Sequence, residues 1–387
     1  MDYKMVKLGT VISQAKNIRC GEHNYPVLSM TMHDGLIFQD DKFKKVIASA
    51  NRSEYKVVYR NQLVVSFPID EGVLAAQRIT DVGIVSPAYT IWDIDQAKIL
   101  PEFLEYALRC DRSINYYKAK LRGSTARRRS LPTPTLLEHT IPLPAIDAQR
   151  YILEIIHKSR NVLETRKIQL QKLDMLVRAR FVELFGDPDN NEKSWDIDKM
   201  EHLCEVGSSK RIYQNEQSME GVPFLRISDL VNRIDTGSKK CDLYIPIEKF
   251  AELKEQGLVP RSGDILLTAR GTLGRCYIVQ SDDEFYFQDG MITWLSNYDR
   301  RITALYISYL FEMPGFRKQI DALQAGSTVA YMSISMTKKL NIMVPPIELQ
   351  NQFADFVKQV DKSKDSVQKA LDEAQLLFDS LMQQYFG

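Results

Sequence analysis

Several groupings in the sequence carry residue types that could do chemistry, and each lacks a member the chemistry needs. Methyl transfer to a base amine uses a polar-Pro-Pro-aromatic loop to hold the amine. The adjacent prolines here, Pro345-Pro346, are preceded by Val344 and followed by Ile347, so the polar group is missing. A nucleotide-phosphate loop needs Gly-x4-Gly-Lys followed by Ser or Thr, because a longer run of backbone N–H groups must wrap the phosphates. Gly271-Thr272-Leu273-Gly274-Arg275 is too short and has no lysine. Metal-dependent strand cleavage needs clustered carboxylates that fix the ions. Pro68-Ile69-Asp70-Glu71 and Asp282-Asp283-Glu284 supply acids, but nothing completes either site, and both read as solvated turns. The histidines, His23, His33, His139, His157 and His202, show no metal-ligand spacing such as His-Glu-x-x-His. His157 reads as a solvent-facing helix residue. Cys20, Cys110, Cys204, Cys241 and Cys276 are scattered and odd in number, which argues against a zinc ribbon or a disulfide framework and for buried free thiols. The expectation is no catalytic residue, no metal and no cofactor, and so a binding or organising protein.

Composition sets the frame for whatever is bound. The 387 residues suffice for two ordinary domains. Apolar residues at 44% and charged residues at 26% fit a soluble globular chain. No stretch approaches the ~20 apolar residues of a membrane helix, and Met1–Leu8 does not read as a signal peptide, so the simplest compartment is the cytoplasm. The 51 basic and 50 acidic residues nearly cancel, for a formal charge of +1. Attraction to a polyanion would therefore depend on local clusters or on partner subunits.

The elements that would position a binding surface emerge from an internal repeat. Leu143-Pro144-Ala145-Ile146-Asp147-Ala148-Gln149 aligns without a gap to Val344-Pro345-Pro346-Ile347-Glu348-Leu349-Gln350. Leu184-Phe185-Gly186 aligns to Tyr385-Phe386-Gly387 at the same offset, 201 residues, which separates Gln149 from Gln350. Each segment reads as one long helix. A proline precedes the start, an acid sits in the first turn, a glycine closes the end, and neither proline nor glycine interrupts. At ~1.5 Å per residue each would run roughly 55–60 Å. Apolar residues recur in steps of four and three: Ile152, Ile156, Leu163, Leu170, Leu173, Val177 and Leu184 in the first helix. The second matches with Phe353, Val357, Val360, Val367, Leu371, Ala374, Phe378, Leu381 and Tyr385. Ser159, Arg166, Arg180 and Lys364 are the polar members of the seam. This is a coiled-coil pattern, and the natural partner of each helix is the other.

Weaker echoes lie upstream. Pro26-Val27-Leu28-Ser29 resembles Pro223-Phe224-Leu225-Arg226, Gly123-Ser124-Thr125 recurs as Gly326-Ser327-Thr328, and Tyr106-Ala107-Leu108 corresponds to Tyr309-Leu310-Phe311. Ile265-Leu266-Leu267-Thr268 and Cys276-Tyr277-Ile278-Val279 read as strands around a Gly-rich turn, with Leu63-Val64-Val65-Ser66 as the first-copy equivalent. Phe103–Cys110 and Leu305–Phe311 have helical spacing. The chain reads as two copies of a mixed α/β domain followed by a long helix, linked by the turn-rich 187–195.

The paired Pro motifs, the Leu184-Phe185-Gly186-Asp187-Pro188 ending with Trp195, the Gly263-Asp264-Ile265-Leu266-Leu267-Thr268 and Arg270-Gly271-Thr272-Leu273-Gly274 run, and the two Gly-Ser-Thr segments together resemble the specificity subunits of type I restriction-modification systems. The resemblance covers the full chain; Ala145 departs from it where the second copy has Pro346. It implies an α+β protein with two target-recognition domains in tandem, at 1–142 and 196–343, and spacer helices at 143–186 and 344–387 forming an antiparallel coiled coil. It further implies a non-catalytic subunit in which each domain reads half of a bipartite, asymmetric double-stranded DNA target. The coiled coil would dock methyltransferase subunits, and restriction subunits would join that complex. Duplex DNA repeats every ~34 Å, so a stiff pair of helices suits the task of spacing two readers. About four residues added to both helices should change the gap between half-sites.

The candidate DNA contacts follow from residue type and place. Arg127, Arg128 and Arg129, beside Ser124 and Thr125, could contact phosphates or grip guanine edges. Lys118, Lys120 and Arg122 form a basic stretch suited to phosphates. In the second copy the equivalents are Ser327, Thr328, Tyr331 and Ser333. Arg270, Thr272 and Arg275 occupy a Gly-rich turn that lets backbone approach the duplex. Arg226 and Ser228 follow a strand and could act likewise. The rival reading is a coiled-coil scaffold with two protein-binding domains, which would show no salt-dependent DNA affinity.

Overall fold

The computed structural model describes residues 3–32, 34–42, 52–121, 131–322 and 330–387. They form two compact units, residues 1–167 with 368–387, and residues 168–367. Each unit thus takes the start of one long helix and the end of the other.

The first unit is built on a four-stranded antiparallel sheet. Leu63–Val65 lies between Leu74–Ala76 and Thr90–Ile94, and Ile12–Gln14 pairs on the far side of Thr90–Ile94. The second unit repeats this order. Ile265–Thr268 lies between Cys276–Ile278 and Ile292–Ser296, with Glu205–Gly207 beyond. The central strands are apolar on both faces, and Leu63, Val64, Ile265, Leu266 and Leu267 are all fully buried. Such a strand must be covered on both sides. On one side lie helices Pro101–Arg109 and Asp111–Lys120 in the first unit, and Ala304–Glu312 and Pro314–Ala322 in the second. The resemblance of Pro26–Ser29 to Pro223–Arg226 also has a structural basis. Val27 bridges Ile84 in parallel, as Phe224 and Leu225 pair in parallel with Tyr286 and Phe287. A further two-stranded ladder closes each copy, Met5–Lys7 on Thr140–Pro142 and Asp196–Lys199 on Asn341–Val344.

The long helices run Ile146–Phe185 and Ile347–Phe386. Every seam position named from the sequence is buried or half-buried. In the first unit Ile152 and Ile156 share a core with Phe378, Leu381, Tyr385 and Phe386. In the second, Val177, Phe181, Leu184 and Phe185 share one with Phe353, Val357 and Val360. Within each unit the beginning of one helix therefore meets the end of the other, the antiparallel arrangement. Lys364, the one charged seam residue of the second helix, reaches Asp174 at 2.6 Å. The seam pattern missed Leu153, Phe181 and Phe386, which are buried because the helix ends also face the α/β cores. Phe181 stacks on Tyr306 at 5.5 Å, and Phe386 lies 5.0 Å from Phe103.

The repeated glutamine explains the repeated motif. Gln149 is buried, accepts from the Leu100 N–H at 2.8 Å, and donates to the Lys98 and Pro144 carbonyls at 2.9 and 2.8 Å. Gln350 is buried, accepts from the Thr303 N–H at 2.9 Å, and donates to the Arg301 and Pro345 carbonyls at 2.8 and 2.9 Å. In both copies one amide satisfies loop backbone that strand and helix leave unpaired, and it clamps the start of a long helix to the start of a core helix. Gly186 ends the first helix with φ of 80°, a left-handed cap that glycine adopts without strain.

Two readings of individual residues need correction. Asp283 is not part of a solvated turn. Its carboxylate is fully buried and held by Arg233 at 3.1 Å, Lys239 at 3.0 Å and the Tyr277 hydroxyl at 2.6 Å, because a buried charge needs partners. Of the cysteines, all free, Cys20, Cys110 and Cys204 are buried, whereas Cys241 and Cys276 are half-buried. His157 is exposed and reaches Glu102 at 3.0 Å.

Candidate nucleic-acid interface

In the second unit, strand pairing brings distant candidates to one end of the sheet. Ile265–Thr268 ends where Ile292–Ser296 begins, with Thr268 opposite Ile292. Past that point the Ala269 N–H donates to the Met291 carbonyl, and the Met332 N–H donates to the Ala269 carbonyl. The chain at 330–333 is thereby laid against the Gly-rich turn. Arg270 and Tyr331 form an antiparallel bridge, and the Arg270 guanidinium lies 5.3 Å from the centre of the Tyr331 ring. Both side chains are exposed. Ser333 caps the short helix Ile334–Lys338, its hydroxyl accepting from Met336.

Arg226 reaches the same end by the parallel pairing of Val222–Leu225 with Tyr286–Phe287. The Gln288 N–H donates to the Leu225 carbonyl, so Arg226 lies beside the connection 288–291 that leads to Ile292. Ser228 is exposed in the first turn of helix Ile227–Thr236. The structure thus gathers Arg226, Ser228, Arg270, Thr272, Tyr331 and Ser333 around one sheet end, from three separate stretches of chain.

These groups differ in how free they are. Arg226 is bound to Asp229 at 3.2 Å and faces Asp242 at 3.8 Å, and the Asp229 hydrogen bond raises its pKa. Arg275 points away to Asp235, whose carboxyl it holds below the usual range by a hydrogen bond. Arg275 is therefore placed to fix the turn to helix Ile227–Thr236. The turn is braced from within as well, since the Thr268 hydroxyl donates to the Thr272 carbonyl and accepts from the Arg275 N–H. Arg270, with its guanidinium over a tyrosine ring, is the turn's outward cation.

In the first unit, Lys118 and Lys120 are exposed near the end of helix Asp111–Lys120. That helix packs on Ile69–Glu71, which follows strand Leu63–Val65 as the Gly-rich turn follows Ile265–Thr268. The two lysines thus lie in the last turn of a helix that packs at the corresponding end of the first sheet. Arg122, Ser124, Thr125, Arg127, Arg128 and Arg129, and in the second copy Ser327 and Thr328, lie outside the described residues. Among the described residues no helix is long and apolar enough to cross a membrane, and no group of three or more His, Cys, Asp or Glu is placed to hold a metal.

Residues 192–375 match a family model described as the type I restriction modification DNA specificity domain. The chain is similar to the type I restriction enzyme specificity subunit S.HindORF215P of Haemophilus influenzae, 26% identical over 63% of this chain and 61% of that protein. It is also similar to the MjaVIII specificity subunit of Methanocaldococcus jannaschii, 24% identical over 59% of each. The match spans about three fifths of the length of these two relatives. Among solved structures, a chain from work on complex assembly and conformational transition of the type I R-M system superposes with a TM-score of 0.63, at 15% identity, over 99% of this chain and 97% of that one. The S subunit from M. genitalium gives 0.52 at 14% identity, over 100% and 96%. The chain shares the fold of these two solved chains. The chain is thus similar to specificity subunits of type I restriction-modification systems, and its residues 192–375 match the DNA specificity domain of that family.

Proposed function

We propose that this chain reads a bipartite DNA target, one half-site per α/β domain, and directs methyltransferase and restriction subunits to it. The observation that carries the reading is the duplicated sheet whose equivalent ends present the candidate contacts, Lys118 and Lys120 in one copy and Arg270 with Tyr331 in the other. Because the sequences at these ends differ, the two half-sites should differ and the target should be asymmetric. The paired helices serve as the spacer and as the docking surface for the methyltransferase subunits. The chain itself supplies recognition and its partners supply the chemistry. With net charge near neutral, grip on the duplex comes from local cations and from those partners. Methylome sequencing of a host with and without this gene tests the reading. A split motif should be methylated only when the gene is present, and identical methylomes would refute it.

A further inference from the structure

The loop that follows Glu205–Gly207 carries a polar side chain that is anchored on one edge and open on the other. The loop is fastened to residues on either side of the connection 288–291. The Ser208 hydroxyl donates to the Ile292 carbonyl, the Ser209 hydroxyl to the Phe287 carbonyl, and the Lys210 N–H to the Tyr286 hydroxyl. The loop therefore stands at the same sheet end as Arg226, Arg270 and Tyr331. Arg211 projects from it, with a side chain 65% exposed, and its Nε donates to Asp289 at 3.0 Å. Asp289 is itself largely covered, at 22% exposure, and belongs to the connection that organises the interface.

The geometry points to Arg211 as a guanine-reading residue of the second unit. A guanidinium has five donors in a planar fork. When a carboxylate takes Nε, the plane is fixed and the two Nη groups are left facing outward as a parallel pair. That pair matches O6 and N7 of guanine in the major groove, the commonest specific protein–DNA contact. The other arginines at this end are committed differently. Arg226 has Nε on Asp229 and Nη2 facing Asp242, Arg275 spends Nη2 on Asp235, and Arg270 lies over Tyr331. Among the described residues, Asp289 is the one ion-pair partner of Arg211, and it holds the side chain by the edge that base reading does not use. Asp289 is the positioning residue. A contact to phosphate alone would carry no sequence information, which is what the variants below distinguish.

The inference rests on the proposed DNA-reading function and extends it to one position of one half-site. The test is selection from randomised duplexes by the full chain assembled with its methyltransferase subunits, comparing wild type with Arg211→Ala, Arg211→Lys, Asp289→Asn and Lys210→Ala. Wild type should enrich a motif with a G·C pair in the half-site that the second unit reads. Arg211→Ala should lower the preference for that guanine about tenfold or more while the other positions keep theirs. Asp289→Asn should relax the same position partly, and Arg211→Lys should not restore it, since an ammonium cannot form the fork. Lys210→Ala should weaken binding evenly over all sequences. If Arg211→Ala also weakens all sequences evenly, or changes nothing, Arg211 is not a base reader and the proposal is overturned while the DNA-reading function stands. If wild type enriches no motif, the function itself fails.

Discussion

Replacing Gln350 with alanine tests whether the repeated glutamine is the clamp that places a long helix on its α/β core. The side chain makes four hydrogen bonds, to Thr303 N, Thr303 Oγ1, the Arg301 carbonyl and the Pro345 carbonyl. A typical bond contributes ~1 kcal/mol net, and a buried group left without a partner costs ~1–3 kcal/mol. Allowing for water reaching some of the freed groups, the loss should be about 3 kcal/mol. For a unit of this size that lowers the melting temperature by about 6–12 °C. Gln350→Glu should do at least as much harm at neutral pH, because a carboxylate faces the Arg301 and Pro345 carbonyls with no proton to donate. Acid should relieve part of that difference. Thermal melting of the full chain, with hydrogen exchange followed at Thr303–Tyr306 and at the start of Ile347–Phe386, reads both effects. An alanine variant within about 0.5 kcal/mol of wild type, or lost protection in the first unit instead of the second, would refute the clamp.

Other substitutions probe the core and the interface. Phe353 is fully buried with ring centres of Phe181, Phe185 and Tyr309 5.1–5.6 Å away, so Phe353→Ala should cost about 3–5 kcal/mol and open exchange at both helix ends of the second unit. His139 is buried against the Ser113 hydroxyl at 2.8 Å, and burial, aided by the Arg112 charge, lowers its pKa to about 4. The unfolded chain binds this proton from about pH 6.5 downward while the folded chain refuses it, so stability is complete above pH 6.5 and falls on acidification towards pH 4. Urea midpoints at pH 7 and pH 5 should show that slope, and His139→Gln should flatten it. Arg270→Ala should weaken DNA binding and reduce its salt dependence, whereas Arg275→Ala should lower stability modestly and leave the selected motif unchanged, as gel-shift titrations and melting curves can separate.

The long helices were legible because a 4-3 apolar rhythm and two invariant end signals repeat at one offset. The sheets were legible at their buried central strands, Leu63–Val65 and Ile265–Thr268, and at the outer strand Cys276–Ile278, but not at the remaining outer strands such as Glu205–Gly207, which are short and partly polar. Gln149 and Gln350 were visible as repeated letters, but their partners Lys98, Leu100, Arg301 and Thr303 lie about fifty residues away, and no local pattern connects them. Asp283 looked solvated because Arg233 closes over it from a helix fifty residues earlier. Arg211 gave no signal of its own. A single arginine after a short strand is commonplace, and only the pairing of Glu205–Gly207 with Ile292–Ser296, with the bonds that Ser208, Ser209 and Lys210 make to Ile292, Phe287 and Tyr286, puts Asp289 beside it at an exposed sheet end.

The most direct test of a two-reader protein spaced by its helices is to lengthen both helices together. Seven residues inserted after Lys167 and seven after Val367 keep the apolar register and add about 10 Å to each helix. Methylome sequencing should then find both half-sites unchanged and the gap between them wider, by up to about three base pairs. An unaltered gap in an active protein, or altered half-sites with the old gap, would contradict the account.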